Sequence, residues 1–211
     1  MEKIDAKKTV ITVMHAQNAI TKPGKFGYSG APAQVQKYNV LAKIQKALVA
    51  SRAAGVQVIY LNWCMKPGYP KAGDPLYQIP IMVKVLKEGV DATWTREGGY
   101  SEGYKNPDEI KPEPQDYIVD NWATDCFLYT DLELILRAQG ITDVVCTGIA
   151  TDWVIHGTVR HGAEIGYNMI VVEDCCQSFN DQMHDHQVKI VLPQLATAVV
   201  KLDEYLAALP K

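Results

Sequence analysis

Short runs rich in Val, Ile and Thr recur at 9–14 (TVITVM), 56–61 (VQVIYL), 116–120 (DYIVD), 142–148 (TDVVCTG), 167–174 (YNMIVVED) and 196–200 (ATAVV), with helical stretches between them. Strands that alternate with amphipathic helices build βαβ units, and βαβ units build a parallel sheet. The crossovers are right-handed, which leaves helices on both faces. The fold class is therefore α/β, in three α/β/α layers. The helix expected at 35–55 puts Leu41, Ile44 and Leu48 on one face and stops at Gly55. A second runs over 130–140, with Thr130 at its start, Glu133 in the capping-box position and Gly140 past its end. Residues 149–166 read as a turn into a helix, 180–195 as a helix broken near Pro193, and 201–209 as the last helix. A chain of 211 residues suits one domain, 1–211. The segment 62–115, with Pro67, Pro70, Pro75, Pro80, Pro107, Pro112 and Pro114, interrupts the rhythm. Loops of that length inside a compact domain are usually functional. It reads as an excursion that walls a pocket, with a short helix near 79–89.

Several partner classes are disfavoured. The net charge is −3 and no cluster of Lys and Arg is present, so neither nucleic acid nor an anionic membrane is an expected partner. No apolar run approaches the ~20 residues that span a bilayer, and the charged N-terminus, MEKIDAKK, lacks a signal peptide's apolar core. Five cysteines (Cys64, Cys126, Cys146, Cys175, Cys176) without a secretory signal point to free thiols in a reducing compartment, and the expected location is the cytoplasm. No CxxC pair suggests a metal, and neither metal nor cofactor is expected.

In open α/β sheets ligands bind beyond the carboxyl ends of the strands. The residues that follow the first, third and fourth strands are His15, Gln17 and Asn18; Asn121 to Asp125; and Thr151 to His156. His15 is the side chain best suited to move a proton near neutral pH. Asp125 and Asp152 can orient it, although Asp152 equally suits a helix N-cap. His156 lies one turn beyond Asp152. Backbone N–H groups near Trp153 and Val154 suit an oxyanion or carboxylate. Asn62, Trp122, Thr151 and Trp153 complete a candidate binding surface, and any one of the tryptophans alone also reads as packing. His161, His184 and His186 read as solvated or structural.

The segment TGIATDWVIHGTVRHGAEIGYNMIVVEDCC (147–176) resembles the isochorismatase-like cysteine hydrolase superfamily. VMHAQNA (13–19) is similar to that family's first-strand end, V-x-D-M-Q-N, and NWATDCFLYTDLELILRAQGI (121–141) to its K-x-x-x-S-x-F-x-x-T-x-L segment. The layout is most like that of ureidoacrylate amidohydrolases. The resemblance implies a six-stranded parallel sheet of order 3-2-1-4-5-6, a homo-oligomer (dimer or tetramer), and C–N hydrolysis by a Cys-Lys-Asp triad, or vinyl-ether cleavage by the aspartate alone. All three slots are changed here: His15 stands for the aspartate, Asn121 for the lysine and Val154 for the cysteine. Valine has no lone pair and no ionisable proton, so a thioester at 154 is excluded on this alignment. The D-x-H metal motif of the nicotinamide amidases is also missing from NWCMKPGY (62–69).

Three functions compete on these residues. The leading one is a non-thiol enzyme on this scaffold, with His15 as acid/base acting on a small polar or carboxylate-bearing molecule. The reaction is hydrolysis or a related lyase or isomerase step. The second is a catalytically silent binding or regulatory homologue. The third is an amide hydrolase with Cys126 or Cys64 as a relocated nucleophile.

Overall fold

The computed structural model describes residues 2–23, 30–64 and 100–211. The elements are β1 (Thr9–Met14), α1 (Asn18–Thr21), α2 (Ala31–Lys37), α3 (Val40–Ala53), β2 (Gln57–Trp63), β3 (Tyr117–Asn121), α4 (Leu132–Ala138), β4 (Asp143–Ile149), a π-helical turn (Thr151–Ile155), α5 (His156–Glu164), β5 (Asn168–Gln177), α6 (Asp181–His186), β6 (Ala198–Val200) and α7 (Leu202–Ala208). The strands form one parallel sheet of order β3-β2-β1-β4-β5-β6, as the sequence implied.

The apolar strand runs have a plain cause. Side chains alternate across a strand, and here both faces are covered. Ile11, Val13, Val58 and Tyr60 point into one core cluster, closed by Ile44 and Leu48 of α3 and Tyr205 of α7. Val10, Met14, Ile59 and Leu61 point into the other, closed by Leu132 and Leu136 of α4 and Val159 of α5. β1 lies in the middle of the sheet, paired with β2 on one side and β4 on the other. The order reverses at β1 and β4, so the crevice for ligands opens beyond Met14 and Ile149.

Some boundaries differ from those read in the sequence. The helix expected at 35–55 is two, α2 and α3, divided at Asn39, whose φ of 51° lies in the left-handed region that Asn tolerates better than most residues. The helix expected at 180–195 is α6 followed by a π turn at Gln187–Val191 and a 3₁₀ turn at Leu192–Gln194. Pro193 brings no N–H to that last turn. Thr130 accepts from the Leu132 N–H at 3.2 Å, and α4 begins at Leu132, two residues beyond it. The short helix expected near 79–89 lies outside the described residues. The described end of the excursion is tied down: Asn18 and Ala19 donate their backbone N–H groups to the Lys105 and Gly103 carbonyls at 2.8 and 2.9 Å.

One glycine fixes how closely the two central strands approach. Gly148 has a φ of 128°, and a Cβ there would lie 2.1 Å from the Met14 carbonyl oxygen. Any side chain would drive β4 off the end of β1, so this position accepts only glycine.

Candidate functional site

β1 ends at Met14, and the chain turns at once. His15 adopts a φ of 51° while its N–H donates to the Leu61 carbonyl at 2.8 Å. The turn sends the imidazole towards β3 across the end of β2. There its Nε2 lies 2.6 Å from Asn121 Oδ1. The Asn121 amide is oriented by its other end, since Nδ2 donates to the Asp125 carbonyl at 2.9 Å. Its Oδ1 is therefore an acceptor, and Nε2 of His15 carries the proton. That leaves Nδ1 as a bare lone pair, with no protein partner among the described residues.

His15 is 6% exposed, and burial lowers its pKa to about 4, against the opposing pull of the Asn121 bond. The imidazole is thus neutral across the physiological range. Its basicity has fallen to about that of a carboxylate (~4), but its resting form carries no charge.

His15 lines a small cavity of about 40 Å³ together with Ile20, Trp63, Ala123, Thr124, Ile149, Ala150, Trp153 and Phe179. A volume on that scale holds only a few waters, since one needs ~10–15 Å³. The walls are aromatic. Trp153 and Phe179 meet edge to face, with centroids 5.4 Å apart and planes at 84°. Trp63 is fixed by its indole N–H, which donates to the Trp122 carbonyl at 3.0 Å. None of the described lining residues is charged at neutral pH. The peptide between Ile149 and Ala150, on the cavity wall, is cis.

The residues named from sequence fall into four groups. His15 and Trp153 line the cavity, and Asn121 stands directly behind His15. A second group braces the rim. Gln17 accepts from the Trp63 N–H at 2.6 Å and donates to the Trp63 and Tyr104 carbonyls, both at 2.9 Å, which uses its whole amide. Asn62 and Asn106 exchange side-chain bonds at 2.9 and 3.2 Å, and Asn18 donates to the Glu102 carbonyl at 3.1 Å. Trp122 supplies the carbonyl that fixes Trp63. These four join the strand ends to the returning excursion.

The third group points elsewhere. Asp125 does not reach His15 with its carboxylate: Oδ2 bonds His161 Nδ1 at 2.7 Å and Oδ1 accepts from the Phe127 N–H at 2.9 Å. Its link to His15 runs through its backbone carbonyl and Asn121. Asp152 accepts from the Ser178 hydroxyl, and partial burial raises its pKa. Half-buried His156 has its pKa lowered, chiefly by burial. Thr151 Oγ1 bonds His184 Nδ1 at 2.9 Å. The Trp153 N–H, one of the donors expected for an oxyanion, is directed at the Ala150 carbonyl at 3.2 Å. The fourth group is Val154 alone, fully buried in the second core cluster and not among the cavity's lining residues.

The thiols stand apart from the cavity. All five cysteines are buried thiols, and none is a described lining residue. Burial pushes the Cys126 thiol far above its ordinary pKa, so it resists becoming a thiolate. Among the described residues no cluster of His, Cys, Asp and Glu has metal-binding geometry, and no helix is long and apolar enough to cross a membrane.

Sequence reasoning missed Ile20 and Phe179. Phe179 follows β5, a strand whose carboxyl end was not counted among those bordering the crevice, although it lies beside β4. Thr124 and Ala123 fell inside a named segment without being singled out.

Residues 9–201 match the Isochorismatase domain family. The chain belongs to the isochorismatase family. It is 33% identical over 178 residues to a ureidoacrylate amidohydrolase RutB of Stutzerimonas stutzeri (strain A1501), covering 80% of this chain and 69% of that protein. It is 32% identical over 186 residues to the RutB of Acinetobacter baylyi, covering 84% and 74%. Among solved structures, a cysteine hydrolase from Pseudomonas syringae pv. phaseolicola 1448A superposes with a TM-score of 0.80 at 20% identity, over 99% of this chain and 95% of that one. An N-carbamoylsarcosine amidase from Thermoplasma acidophilum superposes with a TM-score of 0.68 at 24% identity, over 92% and 95%.

Proposed function

We propose that this isochorismatase-family chain is a hydrolase that works without a cysteine nucleophile. His15 accepts a proton from water as the water attacks the carbonyl of a small amide or carbamoyl compound. The observation that carries this reading is the chain His15 Nε2–H to Asn121 Oδ1, Asn121 Nδ2–H to the Asp125 carbonyl, because it holds the imidazole in one tautomer with Nδ1 bare. A general base needs a fixed tautomer and an open lone pair before its pKa matters.

The proton bookkeeping is simple. Water gives its oxygen to the carbonyl carbon and a proton to Nδ1. The resulting imidazolium is costly in this buried place, so it returns its proton readily to the departing nitrogen as the C–N bond breaks. Acid and amine leave, and His15 is neutral again. Two of the family's slots thereby acquire new roles: Asn121, in the lysine slot, orients the base, and His15, in the aspartate slot, is the base. Val154, in the cysteine slot, leaves no route through a thioester.

The aromatic walls and the lack of a charged group among the described lining residues favour the planar, uncharged part of such a molecule beside His15. The names of the relatives suggest the first compounds to assay, ureidoacrylate and N-carbamoylsarcosine, with simple primary amides and a vinyl ether beside them. Wild type is expected to hydrolyse a member of that panel, and Asn121→Leu, which strands the Nε2 proton and frees the ring, is expected to lose most of that rate. A rate unchanged in Asn121→Leu removes the orienting role. No turnover by wild type across the panel favours the second reading, a silent ligand-binding homologue, which rests on the inert, fully buried Val154.

A further inference from the structure

The chain of hydrogen bonds behind His15 does not end at Asp125. A trans peptide carries its C=O and its N–H on opposite sides. The carbonyl that accepts from Asn121 belongs to the peptide joining Asp125 to Cys126, and the N–H of that same peptide donates to Thr158 Oγ1 at 3.0 Å. Thr158 lies on α5, four residues beyond Val154, and is fully buried. Every bond runs the same way: His15 Nε2–H to Asn121 Oδ1, Asn121 Nδ2–H to the peptide carbonyl, Cys126 N–H to Thr158 Oγ1.

The direction matters because the two ends of an Asn amide are nearly alike in shape. Turned over, Asn121 would present Nδ2 to His15 and Oδ1 to residue 125. His15 would then accept at Nε2 and carry its proton on Nδ1, which leaves the ring no bare nitrogen for a water. The carbonyl of the 125–126 peptide forbids the turned-over amide, and the N–H behind that carbonyl keeps the peptide plane in place. Opposite an N–H a hydroxyl oxygen can only accept, so Thr158 closes the chain with one polarity. A buried N–H that lost this acceptor would cost free energy, and the peptide would turn to find another. α5 can supply the hydroxyl because it lies close against this turn: a Cβ at Gly157 would stand 2.4 Å from the Thr124 carbonyl oxygen, so glycine sets the approach. His161, farther along α5, holds the Asp125 carboxylate at 2.7 Å, whereas Thr158 holds the peptide that faces Asn121.

We propose that Thr158 is a positioning residue for His15: through the 125–126 peptide and Asn121 it selects the tautomer whose Nδ1 is bare, without touching the reacting atoms. Its effect on turnover rests on His15 being the base, as proposed above. Its effect on the tautomer does not, and is measured without substrate.

The test is long-range proton–nitrogen NMR of the histidine rings in the full chain at pH 7, with the His15 signals assigned by their loss in His15→Asn. Wild type is expected to show Nε2 protonated and Nδ1 bare. Thr158→Val keeps the shape and removes the acceptor; it is expected to draw the two nitrogen shifts of His15 towards each other, as the second tautomer becomes populated. Thr158→Ser, which restores the hydroxyl, is expected to return the wild-type pattern. On a substrate that wild type hydrolyses, Thr158→Val is expected to lower kcat about tenfold or more and to leave KM within about twofold, with Ser restoring the rate. Wild-type ring shifts in a folded Thr158→Val overturn the proposal and leave the hydrolase reading standing. Mixed tautomers in Thr158→Val with no turnover by wild type support the positioning role and count against the hydrolase. Thr158→Ala serves in the same way where Val at 158 does not fold, and a wild-type His15 protonated at Nδ1 overturns the proposal with no variant needed.

Discussion

Replacing His15 by Asn tests the buried, neutral histidine through stability alone, with no substrate needed. Asn is the natural choice, because the position has a φ of 51° and Asn tolerates that region. Burial lowers the folded-state pKa of His15 to about 4, against ~6.5 for an unfolded histidine. Between those values the unfolded chain binds a proton that the folded chain refuses. Stability therefore falls as the pH drops below ~6.5, and this contribution is complete below ~4. At pH 7 the term is close to zero; at pH 5 it costs about 2 kcal/mol, from the ratio of the two binding polynomials. Carboxylates elsewhere titrate alike in wild type and variant, so they cancel in the difference. Urea unfolding of both proteins at pH 7 and pH 5 reads the effect directly. The stability advantage of wild type over His15→Asn is expected to shrink by about 2 kcal/mol between the two pH values. A difference constant to within ~0.5 kcal/mol would refute a buried, neutral His15.

Other perturbations follow from the same contacts. Gly148→Ala is expected to destabilise by about 3 kcal/mol or more, measured by urea unfolding, because its Cβ would meet the Met14 backbone at 2.1 Å. Arg52→Leu strands the Asp116 carboxylate, only 1% exposed and 2.5 Å from the guanidinium, and is expected to cost about 3 kcal/mol in the same assay. Iodoacetamide on the native protein is expected to label none of the five buried thiols within an hour and to leave turnover unchanged, with full labelling only in denaturant, as read by intact mass.

Much of the fold was legible because its signals are local. Each buried strand is a short apolar run such as TVITVM, and helical stretches with an apolar face recur between most of them; sheet order then came from the family resemblance. What escaped were features set by conformation at single residues. Asn39 reads as an ordinary helix-interior position until its left-handed φ divides α2 from α3. In the site, proximity to the crevice was legible and orientation was not. Asp125 follows β3 and His15 follows β1, both at the carboxyl edge of the sheet, yet the Asp125 carboxylate turns to His161 and only its carbonyl serves the His15 chain. Gln17 and Asn18, beside His15 in sequence, brace the returning excursion, because successive residues of a tight turn face different ways. Phe179 reached the cavity from a strand end that no local motif marks.

The proposed hydrolysis depends on His15 and on no thiol. It is tested most directly by kcat/KM on the best substrate for wild type, His15→Asn and Cys126→Ala, side by side. A loss of about 10²- to 10⁴-fold is expected for His15→Asn, the range for removing a general base, and a rate within about twofold of wild type for Cys126→Ala. Activity retained in His15→Asn, or abolished in a folded Cys126→Ala, would contradict it.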